Sequence, residues 1–161
     1  MTRYVRIAGI VFAGLFAGFL VAVLVLEMSL REYDGSVYTQ VRLVELDSLD
    51  TLAVVTLVPA LIATIALLCL TFRTGERWWS AAAFALMVLV FGLTIAVNLP
   101  INADQLDWNV QAPPGDWAHV RDRWQLAHAV RTVAGVLAFG ALAVGACVSP
   151  PPANRVLDAP L

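Results

Sequence analysis

Four uncharged apolar stretches decide most of what this chain can become. Ile7 to Leu26, Thr51 to Phe72, Trp78 to Ile101 and Thr132 to Ser149 contain no charged residue, and charges, aromatics or prolines bound each one. Pro150, Pro151 and Pro152 end the last stretch, so its helix must begin earlier, near Gln125. Each helix then has at least 20 residues, and at about 1.5 Å per residue that length crosses roughly 30 Å of hydrocarbon. Inside a bilayer no water satisfies unpaired backbone groups, so runs of this kind cross it as helices. The reading is an all-α, four-helix transmembrane bundle, with helices over about residues 5–27, 51–72, 78–101 and 125–148. They make a membrane domain of residues 1–149, and a Pro-rich tail follows over 150–161.

Composition agrees and removes other classes. Hydrophobic residues make up 60% of the chain and charged ones 14%, with a mean hydropathy of +0.80, far from soluble globular domains. Ten Arg and no Lys stand against twelve Asp and Glu, without a basic run, which excludes a nucleic-acid partner. Two Cys and two His are too few for a zinc module or a disulfide framework. Cys69 and Cys147 read as buried apolar filler, and the lack of a Cys-x-x-Cys pair argues against a thiol oxidoreductase. Arg3 and Arg6 before the first run imitate a signal peptide. That run is too long, however, and Leu26-Glu27-Met28-Ser29 offers no small-x-small cleavage site, so the segment is read as a retained helix.

Arginine placement orients the bundle. Arg3, Arg6, Arg73, Arg77 and Arg155 share the side of the short connection, and Arg31, Arg42, Arg121 and Arg123 lie opposite among many acids. Five against four predicts a multi-pass protein of the plasma (inner) membrane with both termini cytoplasmic. Trp78 and Trp79 then mark the inner interface, and Trp108, Trp117 and Trp124 the outer one. Val37, Val41 and Val44 recur at helical spacing among charges. They predict either a short interfacial helix between helices one and two or an extension of helix two. Gly14 and Gly18, continued by Ala22 beside Ala13 and Ala17, form a small-residue stripe that predicts close packing within the bundle, with a homodimer interface as the alternative and the oligomeric state left unknown.

Polar residues within the spans gather at the outer ends. Glu27 ends helix one, Asn98 and Asn102 end helix three, and His128 and Arg131 stand in the first turns of helix four. Trp124, His128 and Arg131 are spaced i, i+4 and i+7, which puts them on one helix face, continued one turn earlier by Arg121. Pro100 deprives the carbonyl of Ala96 of its donor, and Pro59 does the same to Val55, with Thr56 near enough to help. An arginine in a membrane helix should pair or snorkel, and Glu27 is the expected partner of Arg131.

The run from Gly92 to Asn102, with Asn98-Leu99-Pro100-Ile101-Asn102, is followed after a Trp- and Pro-containing loop by Arg123-Trp124 and His128-Ala129-Val130-Arg131. These paired motifs resemble the anthrone oxygenase-like family of small four-helix membrane proteins, over most of Ile7 to Val148. Gly14 to Gly18 and Glu27 are similar to its first-helix pattern, more weakly. The resemblance implies a four-helix bundle and, from the family's fungal members, oxidation of an anthrone to an anthraquinone. Asn98, Asn102, Trp124, His128 and Arg131 match the motif positions.

Two functions from different classes follow. The first is an oxygenase of lipophilic anthrone-like or phenolic substrates entering from the lipid bilayer. His128 is its base, Arg131 and Asn98 stabilise the oxyanion, and Glu27, Asn102 and Trp124 bind substrate. No haem, flavin or nicotinamide motif is present, and His128, His119 and Glu27 have no diagnostic metal spacing, so the cofactor is left unknown and no metal is assigned. The second is a non-enzymatic accessory or small-molecule-binding membrane protein whose polar cluster is structural.

Overall fold

The computed structural model of the protein describes residues 2–148; the Pro-rich tail expected at 150–161 lies outside the described residues. Helix α1 covers Thr2–Ser29 and α2 covers Gly35–Thr71. Helix α3 (Arg77–Leu93) passes through a π-helical turn, Thr94–Asn98, into α4 (Leu99–Gln105), and α5 covers Trp117–Cys147. Counting α3, the π turn and α4 as one span, Arg77–Gln105, four helical spans are long and apolar enough to cross a membrane. The protein is therefore an integral, multi-pass membrane protein. Helix α1 packs against α2 and α5, and α3 packs against the same two, so α2 and α5 face each other across the bundle axis.

Small residues bring the helices together. Ala13, Ala60, Ala83, Ala134 and Ala138 are buried around Phe16, Leu20 and Met87, while branched residues such as Val25, Ile62 and Val133 cover the outside. Gly135 lets α5 come close to α1: a Cβ there would stand 2.8 Å from Leu20 Cδ1. The expected stripe is split by this geometry. Ala13 and Ala17 are in the core, and Gly14 meets the ring of Phe139, but Gly18 and Ala22 face outward. The cysteines depart further from expectation, since Cys69 and Cys147 are both exposed on the bundle surface rather than buried as filler. In a lipid-facing position a thiol costs no more than in a core, which removes any drive to bury it.

Three spans run past their expected ends: α2, the third span, and α5, which starts at Trp117 rather than near Gln125. With 37 residues, α2 spans about 55 Å, well beyond the roughly 30 Å of hydrocarbon. A single 3-10 turn, Leu30–Glu32, follows α1, and the segment with Val37, Val41 and Val44 is the beginning of α2 rather than an interfacial helix of its own. Asp34 caps it, its Oδ1 accepting from Val37 N at 3.0 Å. Its buried face is not the valine face: Val37 and Val44 are exposed, whereas Tyr38, Thr39, Arg42, Glu45 and Leu46 point inward. In the third span, Pro100 does not end the helix. Leu99 N donates to Thr94 O, one residue wider than an α-helical bond, so the π turn absorbs the proline and the helix continues to Gln105. Helix α2 runs straight through Pro59, and the Thr56 hydroxyl bonds the carbonyls of Leu52 (2.7 Å) and Ala53 (3.2 Å), not that of Val55.

The two bundle ends differ. At one, residues 72–76 turn α2 into α3, and Arg6 pairs with Glu76 while Thr71 bonds Ser80. Trp78 and Trp79 are exposed there, in keeping with an interfacial belt. At the other end the tryptophans are packed inside. Trp108 and Trp117 close over Tyr38, and Trp124, only 3% exposed, packs with Val23 and Ile101, so these rings join two packed clusters and not a belt. Ser36 Oγ holds the connecting loop by donating to Val110 O at 2.6 Å. This second end carries the buried polar residues and is called the polar end below.

Candidate functional site

Three helices contribute polar residues with one spacing. Tyr38, Arg42 and Glu45 on α2, Asn98, Asn102 and Gln105 in the third span, and Trp124, His128 and Arg131 on α5 all run i, i+4, i+7. Each set therefore lines one helix face, and at the polar end those faces converge with Glu27 from the last turns of α1. Arg42 is the hub. Its Nε donates to Gln105 Oε1 (2.8 Å), Nη2 to Asn102 Oδ1 (2.7 Å) and Nη1 to Glu45 Oε2 (2.7 Å), and Nη1 is 3.4 Å from Glu27 Oε1. Its guanidinium also lies over the Trp124 ring, 3.9 Å from the centroid. A cation so enclosed donates from all three of its guanidinium nitrogens, which a lysine could not match.

Glu27 is 0% exposed, and its ionic partner is Arg42, with Gln125 Nε2 donating to Oε2 at 2.9 Å. The expected Glu27–Arg131 pair does not form. The reason is positional: Arg42 enters from the extended part of α2 and takes the carboxylate first, whereas Arg131 lies two turns deeper than Trp124 on α5. Arg131 is 6% exposed and lines a cavity, and among the described residues its Nε has no hydrogen-bond partner.

His128 is fixed by two contacts. Its ring stacks on Trp124 with centroids 4.7 Å apart and planes 8° from parallel, and its Nε2 is 3.0 Å from Leu20 O. A carbonyl only accepts, so Nε2 carries the proton and Nδ1 keeps its lone pair in the neutral ring. That Nδ1 is buried and has no partner among the described residues. The contact with Leu20 exists because Gly135, two turns further along α5, lets α5 approach α1 at this level.

A cavity of about 50 Å³ lies among these groups. Arg42, Glu45, Asn102, Trp124, His128 and Arg131 make its polar wall, Phe19, Val23 and Leu46 its apolar wall, and Leu49, Asp50 and Ala53 its rim. Of the residues singled out from sequence, His128, Arg131, Trp124 and Asn102 are brought together around it. Asn102 also accepts from Trp124 Nε1 at 2.7 Å. Glu27 stands behind Arg42, off the cavity, and Asn98 lies behind Trp124, its Nδ2 3.4 Å from the Trp124 carbonyl. Arg121 is buried on the same α5 face but turns to Asp122 and the Trp117 ring.

The sequence reasoning missed Arg42, Glu45, Tyr38 and Gln105. Their signal was present as the repeated i, i+4, i+7 spacing, but in α2 it lay beside a valine pattern one residue out of step, which pointed to a face about 100° away. His119, on the first turn of α5, takes no part in the cavity. No group of three or more His, Cys, Asp or Glu able to hold a metal is found among the described residues.

The family model described as anthrone oxygenase matches residues 50–141. This stretch holds Asn98, Asn102, Gln105, Trp124, His128 and Arg131, and leaves Glu27, Arg42 and Glu45 before its start. No curated protein and no solved structure matches the chain.

Proposed function

This chain belongs to the anthrone oxygenase family, and on that premise we propose that it oxidises a lipophilic anthrone-like or phenolic substrate with dioxygen at the polar end of the bundle. One observation carries the reading. A purely structural network would satisfy its buried polar atoms, because an unmet buried donor or acceptor costs about 1–3 kcal/mol. Here six buried side-chain atoms are unmet among the described residues, and three of them, His128 Nδ1, Arg131 Nε and Glu45 Oε1, belong to residues that line the same cavity. A base with a free lone pair beside an uncommitted cation suits removal of a proton from carbon and stabilisation of the resulting anion.

In this reading His128 Nδ1 takes one hydrogen from the benzylic CH₂ of the anthrone. The charge moves onto the carbonyl oxygen, and Arg131 stabilises it. The electron-rich carbon then reacts with dioxygen, and the sum is anthrone plus O₂ giving anthraquinone plus water. Asn98 acts as a positioning residue, holding the Trp124 backbone from which His128 is hung one turn on. At about 50 Å³ the cavity as it stands takes dioxygen or a few waters, so the ring system enters as the rim at Leu49 and Ala53 widens toward the acyl chains. The small volume is also what supports the second reading, a membrane protein that binds a small solute without turnover. We assign the protein to the plasma (inner) membrane with cytoplasmic termini, which places the polar end outside.

Membranes containing the protein should consume O₂ with anthrone and no added NADH. His128→Ala should abolish this and His119→Ala should leave it intact. Wild-type protein that is inert across anthrones and hydroquinones would favour the binding reading. Undiminished turnover in His128→Ala would remove the proposed base.

A further inference from the structure

One buried carboxylate on the cavity wall takes no part in the reaction described above. Glu45 is 5% exposed and lines the cavity from α2, on the wall that faces α5 across the bundle axis. Its Oε2 is engaged by Arg42 at 2.7 Å, which keeps a carboxylate anchored there. Its carboxylate also adjoins that of Glu27, and its Oε1 is buried with no hydrogen-bond donor among the described residues. The cavity is therefore lined from two opposite helices by residues that each keep one unmet acceptor, His128 with its Nδ1 on α5 and Glu45 with its Oε1 on α2.

That arrangement matches a feature of the substrate's own chemistry. The reacting CH₂ of a planar tricyclic anthrone carries its hydrogens on opposite faces of the ring system, and both must leave before a ketone forms. We propose that Glu45 is a second catalytic base, dedicated to the second hydrogen, an assignment that rests on the oxygenase reading above. His128 Nδ1 removes the first hydrogen. Dioxygen adds to the carbanion on the side of His128 and Arg131, forming the C–O bond, and the proton held by His128 passes to the distal oxygen to give a hydroperoxide. The remaining hydrogen now points to the opposite face, toward Glu45. Glu45 Oε1 takes that proton, the C–H electron pair becomes the C=O π bond, and the O–O bond breaks to release hydroxide. The proton on Glu45 then converts hydroxide to water, so both substrate hydrogens and one oxygen atom leave as H₂O and the carbon is oxidised by O₂ alone.

The two bases predict separable defects. With wild-type membranes and anthrone, one quinone should form per O₂ consumed. Glu45→Gln should still take up O₂ but release quinone about 10²-fold more slowly or worse, the usual worth of a positioned base, with a hydroperoxide accumulating that phosphine reduction converts to the hydroxy compound. Glu45→Asp, which keeps the charge toward Arg42, should recover part of the quinone release; it carries the test if Glu45→Gln does not reach the membrane. Quinone release at the wild-type rate and ratio in Glu45→Gln, or in Glu45→Asp where that is the surviving variant, overturns the assignment while leaving the oxygenase reading in place. Loss of O₂ uptake and quinone formation in equal proportion also overturns it, because Glu45 would then serve the first step or the fold. Absence of any O₂ uptake by wild-type protein sinks both.

Discussion

Replacing Arg42 by leucine should be the most damaging single change at the polar end. It would strand Glu27 and Glu45, 0% and 5% exposed, and take donors from Gln105 and Asn102. Breaking a buried ion pair from one side costs about 3–5 kcal/mol, since the remaining charge stays desolvated. Loss of the contact over Trp124 at 3.9 Å adds about 0.5–2 kcal/mol, and protonation of the stranded carboxylates caps the total. A net loss of about 3–5 kcal/mol is expected. The assay is denaturant unfolding of the detergent-solubilised protein, followed by tryptophan fluorescence. Combining Arg42→Leu with Glu27→Gln and Glu45→Gln should recover most of the loss, because a buried cluster removed as a whole is often neutral. Arg131→Leu is the internal control: with no carboxylate partner among the described residues, its loss should leave stability unchanged or raised. Equal losses in Arg42→Leu and Arg131→Leu, or a triple variant no better than the single one, would refute this account of which arginine holds the network.

Three further outcomes follow from the packing and the topology. Gly135→Val should overpack the α1–α5 contact at Leu20, where a Cβ has only 2.8 Å, and lower stability by about 1–3 kcal/mol; Gly18→Ala, with nothing within 4 Å, should stay within about 0.5 kcal/mol in the same unfolding assay. Trp124→Phe keeps a ring against His128 but loses the Nε1 bond to Asn102, so it should cost about 1 kcal/mol and reduce O₂ uptake less than Trp124→Ala does. A periplasm-active reporter fused after Leu161 should remain silent, and strong signal there would invert the assigned orientation.

What the sequence determined by itself was the class of fold and the level of the site. Uncharged runs of membrane length leave a chain no alternative to helices, and burying an ionisable group in lipid is costly enough that Glu27, His128 and Arg131 had to gather at one end. Within α5 the i, i+4, i+7 spacing of Trp124, His128 and Arg131 was legible because helical geometry alone sets which residues share a face. Only the tertiary structure decided who meets whom between helices. Glu27 pairs with Arg42 and not Arg131 because α2 extends past the membrane, and its length could not be read through a charged segment with a competing valine pattern. Trp108, Trp117 and Trp124 turned inward because the loop and the start of α2 fold over them, a long-range contact that no local pattern encodes. The unmet Nδ1 of His128 depends in the same way on Leu20 of α1, 108 residues distant in the chain, which Gly135 allows to come close enough to fix the ring.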